Sequence, residues 1–472
     1  MLFSSIVFIF RFLPIVLLLY WISPPRLKNT VLLIGSLVFV GWGEFRVLWI
    51  ISAVILINYI SGIILHYVEN RAARKCILAL AVLGSLSMLI YFKYASFFLS
   101  NISHIFGLNA ASASTILLPL VISFYTFQSL SYSVDVYRRD VPTERNLINF
   151  GAYVTMFPQL IAGPIVRYSD VAERLHTIKN RVTLERIEEG VMLFVFGLAK
   201  KALVADGVHS LWADIVGRYE GGRMVAEGIG LANASTPLAW LGILAYALYI
   251  FFDFSGYSLM AIGLGKMIGF DFPANFNLPY ISRSITEFWQ RWHMTLSSWF
   301  RDYVYIPLGG NRKVLPRQMV NLLIVWFLTG FWHGANWNFI IWGLYYCAIL
   351  LAEKALLLKW LEKRKILPHF YTLFLVIVGW AIFASSDPGV GLGLLLNKLF
   401  VPQGGAGAMY FLRNYAGILF VGIFFSSGLP VTVYNKIKHI KTVRIALMAV
   451  LLAACISYMV AGGYKPFLYF NF

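Results

Sequence analysis

Long stretches without a single charge constrain this chain before anything else does. VLLIGSLVFVGW, VLWIISAVILINYISGIIL, ILLPLVISFYTFQSLSYSV, LAWLGILAYALYIFF, LLIVWFLTGFW, FYTLFLVIVGWAIFA, YAGILFVGIFFS and IALMAVLLAACISYMVAG contain no Asp, Glu, Lys or Arg. A helix crossing a bilayer needs about 20 mostly apolar residues. Only 13% of the 472 residues are charged, against about 25% in an ordinary soluble chain. The sequence reads as an all-α polytopic membrane protein with ten to twelve transmembrane helices, several short and tilted.

Charge then sets the expected orientation. The 39 Lys and Arg against 21 Asp and Glu give +18. On a soluble protein that excess would raise the question of nucleic acid; here basic residues gathering in cytoplasmic loops account for it, and no nucleic acid is expected. Arg26, Lys28, Arg71, Arg74, Lys75, Arg138, Arg139 and Arg145 fall in one set of loops, and Arg46 and Lys93 in the alternate set. Eight against two places the first set in the cytoplasm and the N-terminus outside. The basic runs KALLLKWLEKRK (354–365) and NKIKHIKTVR (435–444) belong on the cytoplasmic side by the same rule. MLFSSIVFIF lacks a basic n-region and no small-residue cleavage site follows it, so no removable signal peptide is expected.

The chain reads as one integral-membrane domain over 1–472, with N-terminal spans in 1–135, a core in 236–346 and C-terminal spans in 370–472. Two stretches depart from simple spans. NFGAYVTMFPQLIAGPIVRYSD (149–170) carries Pro158, Gly163 and Pro164 inside an apolar run. Broken backbone at membrane depth is tolerated only where protein or a water-filled cavity satisfies it, so a re-entrant element is expected. In 282–303, Ile285, Phe288, Trp289, Trp292, Leu296, Trp299, Phe300 and Tyr303 recur at helical spacing opposite Arg283, Glu287, Gln290, Arg291, Ser298, Arg301 and Asp302, which predicts an amphipathic helix lying at the interface. Arg11 interrupts the first span, so that helix packs inside the bundle or lies at the interface.

Chemistry is sparse. Cys76, Cys347 and Cys455 lie far apart without metal-ligand spacing, so no disulfide framework and no metal site is expected. Six of the eight histidines sit in polar loops or near span ends. His293 and His333 sit in apolar surroundings, where an ionisable group is a functional candidate. A structural imidazole bonded to a backbone carbonyl is the other reading for both. A desolvated neutral imidazole is a good general base. It can take the proton of an alcohol attacking an acyl carbonyl. Asp253, inside the aromatic run FFDFSGYSLMAIGLGKMIGF, needs a donor, which a basic residue or a ligand hydroxyl would supply. No G-x-S-x-G elbow, P-loop or dinucleotide fingerprint is present.

Taken together, MFPQLIAGPIVRY, FFDFSGYSLMAIGLGKMIGF, FWQRWHMTLSSWFRDYVYIPLGG and GFWHGANWNFIIWGLYY resemble, in that order, the hallmark segments of bacterial membrane-bound O-acyltransferases (MBOATs) of the AlgI type. The opening, MLFSSIVFIFRFLPIVLLLYW, is similar to that group's start. The resemblance implies a helix bundle around a central funnel in the bacterial cytoplasmic membrane. It implies an O-acetyltransferase that moves an acetyl group from a cytoplasmic thioester, acetyl-CoA or another acyl donor, toward an exopolysaccharide such as alginate or cellulose, or a cell-wall polymer. Its two signature histidines fall on His333 and His293, expected to act as general base and as the group that positions or polarises the acyl carbonyl. Asp253, Trp332, Asn336, Arg291 and Arg301 are candidate substrate contacts. A separate extracytoplasmic acetyltransferase of the SGNH type is the implied partner. D-alanyl transfer to teichoic acid, of the DltB type, is the neighbouring alternative within the family. From another class the alternative is a transporter for a lipid-linked glycan, against which the absence of internal repeats counts.

Overall fold

A computed structural model describes residues 1–107, 122–161, 163–177, 182–220 and 223–462. Parts of the expected N-terminal and C-terminal spans, 108–121 and 463–472, and Ala162 of the expected re-entrant element lie outside the described residues. Among the described residues the regular structure is helical apart from one antiparallel ribbon, in which Arg218–Glu220 pairs with Arg223–Ala226, and an isolated bridge between Ala234 and Ala406.

Among the described residues, seven helices are long and apolar enough to cross a membrane: Arg46–Tyr67, Arg71–Phe106, Thr236–Met267, Trp337–Glu362, Leu367–Ala384, Ala408–Ser426 and Lys441–Ala461. Phe8–Ile22 is a shorter apolar helix. This is fewer than the ten to twelve expected: the apolar blocks in Lys28–Gly41 and Leu315–His333 form helices that are shorter or more polar, and the block that includes Ile122–Arg138 begins in residues outside the described ones. Burial separates two kinds of span. Thr236–Met267 is 83% buried over its apolar window, whereas Lys441–Ala461 is 6% buried and turns Ile445, Val450 and Val460 outward, as a lipid-facing helix must.

The chain forms two compact units. The first comprises Met1–Phe194 and Ser258–Pro273. Here Asn70 caps Arg71–Leu89 by accepting the N–H groups of Ala72 and Ala73 at 2.9 and 3.0 Å. Arg74, one of the basic loop residues, is buried. Its guanidinium donates to the carbonyls of Leu65, Val68, Val136 and Tyr137, where the ends of two helices present unmade acceptors and negative dipole charge. Arg11 lines a half-open apolar groove of about 530 Å³ with Ile15, Leu19, Ile34 and Val38.

The proline-interrupted stretch of this unit is broken as its sequence suggests. Helix Leu147–Thr155 stops at Met156, a single turn Phe157–Leu160 follows, residues 164–167 are irregular, and Tyr168–His176 resumes the helix. Protein groups satisfy the freed backbone. Phe157 N–H donates to Ser36 Oγ at 3.0 Å, Gln159 Nε2 donates to the Tyr153 carbonyl, and the Tyr153 hydroxyl reaches the carbonyls of Gln128 and Val166 at 3.2 Å.

The second unit comprises Val195–Tyr257 and Ala274–Phe472. It corrects one expectation. Residues 282–303 are not one helix: Ile285–Arg291 ends at Trp292, and Met294–Phe300 begins after His293, whose backbone is left-handed (φ 43°, ψ 52°). No Gly or Pro marks the break. The conformation is held from outside, because Met294 N–H donates to the Asn275 carbonyl at 3.0 Å and Asn277 N–H to the Arg291 carbonyl at 2.9 Å.

Candidate active site

The second unit brings His293 and His333 into one aromatic enclosure. His333 ends the helix Leu315–His333, and after Gly334 the chain re-enters a helix at Trp337–Ala352, capped by Asn336, whose Oδ1 accepts the Asn338 N–H at 3.0 Å. The two helices cross closely because glycines face each other. A Cβ at Gly330 would press on the Phe339 carbonyl, and one at Gly343 on the Trp326 carbonyl. Such small-residue contacts let backbones approach where lipid offers no hydrophobic drive.

Around His333, the Trp332, Trp342 and Phe383 rings lie with centroids 5.0, 4.8 and 5.7 Å away. His293 meets Phe254 edge-on at 4.8 Å and Trp332 at 6.0 Å, so Trp332 touches both imidazoles. His293 is 1% exposed and His333 7%. Burial first, and the second imidazole after it, push His293 well below the ordinary histidine range. It is therefore neutral at physiological pH.

Hydrogen bonds at Nδ1 orient both rings. His333 Nδ1 lies 2.7 Å from the Thr329 carbonyl oxygen, one turn back. A carbonyl only accepts, so Nδ1 carries the proton; in its neutral form the ring has its lone pair on Nε2, the arrangement a general base requires. His293 Nδ1 lies 3.1 Å from Asn275 Oδ1.

The other predicted site residues divide. Asp253 is fully buried and meets Lys201 Nζ at 2.8 Å, while Asp206 meets the same ammonium at 2.6 Å. A basic residue thus supplies the donor that Asp253 needs. Arg291 is paired within its own helix to Glu287 at 2.8 Å and donates to the Asn277 carbonyl at 3.2 Å. Arg301 pairs with Asp302 at 2.6 Å and stays 63% exposed at its side chain. Asn336 serves as a helix cap. No group of His, Cys, Asp and Glu that would hold a metal occurs among the described residues. Asn275 and Lys201 were not singled out by the sequence. Asn275 lies in PANFNLP, which reads as a loop, and Lys201 in LAKKALV, which reads as the end of a helix.

The family model for membrane-bound O-acyltransferases matches residues 138–396, a range that holds every residue of this site. A Pseudomonas putida protein described as "probable alginate O-acetylase AlgI" is 39% identical, with 100% of both chains covered. A Helicobacter pylori "peptidoglycan O-acetyltransferase" is 31% identical over 100% of this chain and 98% of its own. A Streptococcus thermophilus "teichoic acid D-alanyltransferase" is 32% identical over 52% of this chain and 58% of its own. A family match over more than half the chain and full-length relatives above 30% identity establish that this multi-pass membrane protein belongs to the membrane-bound O-acyltransferase family and is an acyltransferase.

Proposed function

We propose that the protein transfers an acetyl group from a cytoplasmic thioester, acetyl-CoA or a carrier-bound acyl group, for O-acetylation of an exopolysaccharide of the alginate kind or a cell-wall polymer. The paired, aromatic-enclosed histidines carry this reading, and the full-length likeness to an alginate O-acetylase supports it over D-alanyl transfer, where the likeness spans about half the chain. His333 Nε2 takes the proton of the attacking hydroxyl as its oxygen bonds to the acyl carbon. The tetrahedral intermediate collapses, the C–S bond breaks, and the thiolate recovers the proton from the imidazolium, leaving an ester and a free thiol. The surrounding rings exclude water, which would otherwise hydrolyse the thioester. An SGNH-type acetyltransferase outside the cytoplasmic membrane completes delivery to the polymer.

The experiment is thiol release from acetyl-CoA by the purified protein in lipid, with and without a hydroxyl-bearing acceptor. Acceptor-dependent release is expected, and His333→Gln should lower it by about 10² to 10⁴ fold, the usual contribution of a general base. Full activity of that variant, or movement of a glycan without thiol release, would overturn the reading. For orientation, single cysteines at Gly43 and Asp140 in a Cys-free background separate the two loop sets. An impermeant reagent should label position 43 in intact cells and position 140 only after the membrane is opened.

A further inference from the structure

The oxygen and nitrogen of Asn275 are assigned by their neighbours. The Thr295 backbone N–H, a group that only donates, lies 3.3 Å from Oδ1, and the Thr295 hydroxyl lies 2.9 Å from it. The atom facing His293 Nδ1 at 3.1 Å is thus an acceptor, and Nδ1 must carry the proton. The second nitrogen, Nε2, is then a lone pair. It is buried, with no hydrogen-bond partner, on a residue 1% exposed. The left-handed backbone at His293 and the Met294 N–H bond to the Asn275 carbonyl pin the ring's base as well. Asn275 therefore fixes His293 through side chain and backbone together.

A neutral imidazole protonated on Nδ1 has no hydrogen on Nε2 to offer a carbonyl. The expected carbonyl-polarising role of His293 is thereby set aside. What a buried lone pair needs is a donor, and leaving it unmatched is costly.

We propose that Asn275 is a positioning residue that holds His293 with its proton on Nδ1, so that Nε2 receives a hydroxyl of the acyl acceptor. This rests on the acyl-transfer reading above, in which His333 deprotonates the attacking hydroxyl. One O–H carries one hydrogen, so the group held by His293 is a second hydroxyl. The acceptor is a polyol, such as a sugar, rather than a simple alcohol.

Two measurements test this. The first is the ¹⁵N spectrum of histidine-labelled protein in lipid, with His293 identified by its loss in His293→Gln. A protonated Nδ1 and bare Nε2 are expected, with the preference lost in Asn275→Leu and restored in Asn275→Asp, whose carboxylate still accepts from Nδ1. Protonation on Nε2 in the native protein overturns the inference while leaving acyl transfer untouched, and this readout stands even if Asn275→Leu fails to fold. The second compares a sugar acceptor with its deoxy analogues in the native protein and in His293→Ala. One deoxy analogue should be a poorer acceptor by about 10 to 100 fold, the worth of a buried hydrogen bond, and that penalty should vanish in His293→Ala. An equal penalty in both backgrounds would show that His293 holds water or nothing, and would refute the acceptor assignment.

Discussion

The carboxylate of Glu353, fully buried, accepts the Ile285 N–H at 2.7 Å on one oxygen and the Thr286 N–H and hydroxyl at 2.9 and 2.7 Å on the other. It closes the start of the short helix that leads to His293. Ser284 caps the same end, its Oγ accepting the Glu287 N–H at 3.0 Å. Glu353 continues the helix that follows His333, so one side chain couples the two histidine-bearing segments through adjacent backbone.

Glu353→Gln turns one acceptor oxygen into a donor facing an N–H. Hydrogen bonds to a charged group contribute about 1.5–3 kcal/mol each, and a loss of roughly 2–4 kcal/mol is expected. The unfolding midpoint in detergent should fall and acetyl transfer should fall with it. An unchanged midpoint would mean that Ser284 alone suffices as the cap.

Gly343→Ala tests the close helix crossing that sets the height of His333. The added methyl meets the Trp326 carbonyl oxygen, which is backbone and cannot rotate away. Overpacking of this kind costs about 1–3 kcal/mol. Because the displaced helix carries His333, transfer should drop further than stability, by tenfold or more at a temperature where both proteins remain folded. Equal losses in the two would show that the crossing matters only to folding.

The membrane class, the broken stretch around Pro158 and the two buried histidines were legible because each is written locally, as hydropathy, as proline and glycine, or as a titratable group among aromatics. Their partners were not. Asn275 meets His293 across 18 positions, and Glu353 meets Ile285 across 68. Such pairs are fixed by tertiary packing that leaves no local pattern. The break at His293 was hidden for the same reason: Trp292, His293 and Met294 suit a helix, and the apolar spacing continues through them, but the Asn275 segment takes the hydrogen bonds that a continuous helix would have used.

Asp387, in the turn after Leu367–Ala384, predicts a pH dependence. Burial pushes its carboxyl up to about 7, against the opposing pull of the Trp212 indole N–H, 3.2 Å from Oδ2. A carboxyl raised in the folded state favours folding while protonated. Its contribution is complete below the unfolded value of about 4 and is lost as the pH rises through 7, since the unfolded chain releases the proton first. Asp387→Asn keeps an oxygen for Trp212 and removes the titration. The native protein's stability relative to Asp387→Asn should therefore fall between about pH 4 and 7. A constant difference across that window would place the ionised form in the fold.

Lys201 predicts a ranking among variants. Its ammonium, with a side chain 1% exposed, lies between Asp206 at 2.6 Å and Asp253 at 2.8 Å. Burial alone would lower its pKa, but the two carboxylates outweigh burial and raise it, so it stays charged at any physiological pH. Removing one partner of a buried pair costs about 3–5 kcal/mol, because the remaining charge stays desolvated. Lys201→Met leaves both carboxylates without this ammonium and should reduce the folded protein in the membrane most. Asp206→Asn leaves Lys201 facing Asp253 and should be the mildest change. The triple variant Lys201→Met, Asp206→Asn, Asp253→Asn removes all three charges and should recover much of what Lys201→Met loses, since a buried ion group replaced by neutral groups of similar size is often neutral in stability. Folded yield and unfolding midpoint in detergent give the ranking. Recovery of acetyl transfer in the triple variant would show that the Lys201 group holds the helices around the histidines rather than contacting substrate. Full stability without transfer would instead put Asp253 back among the substrate contacts.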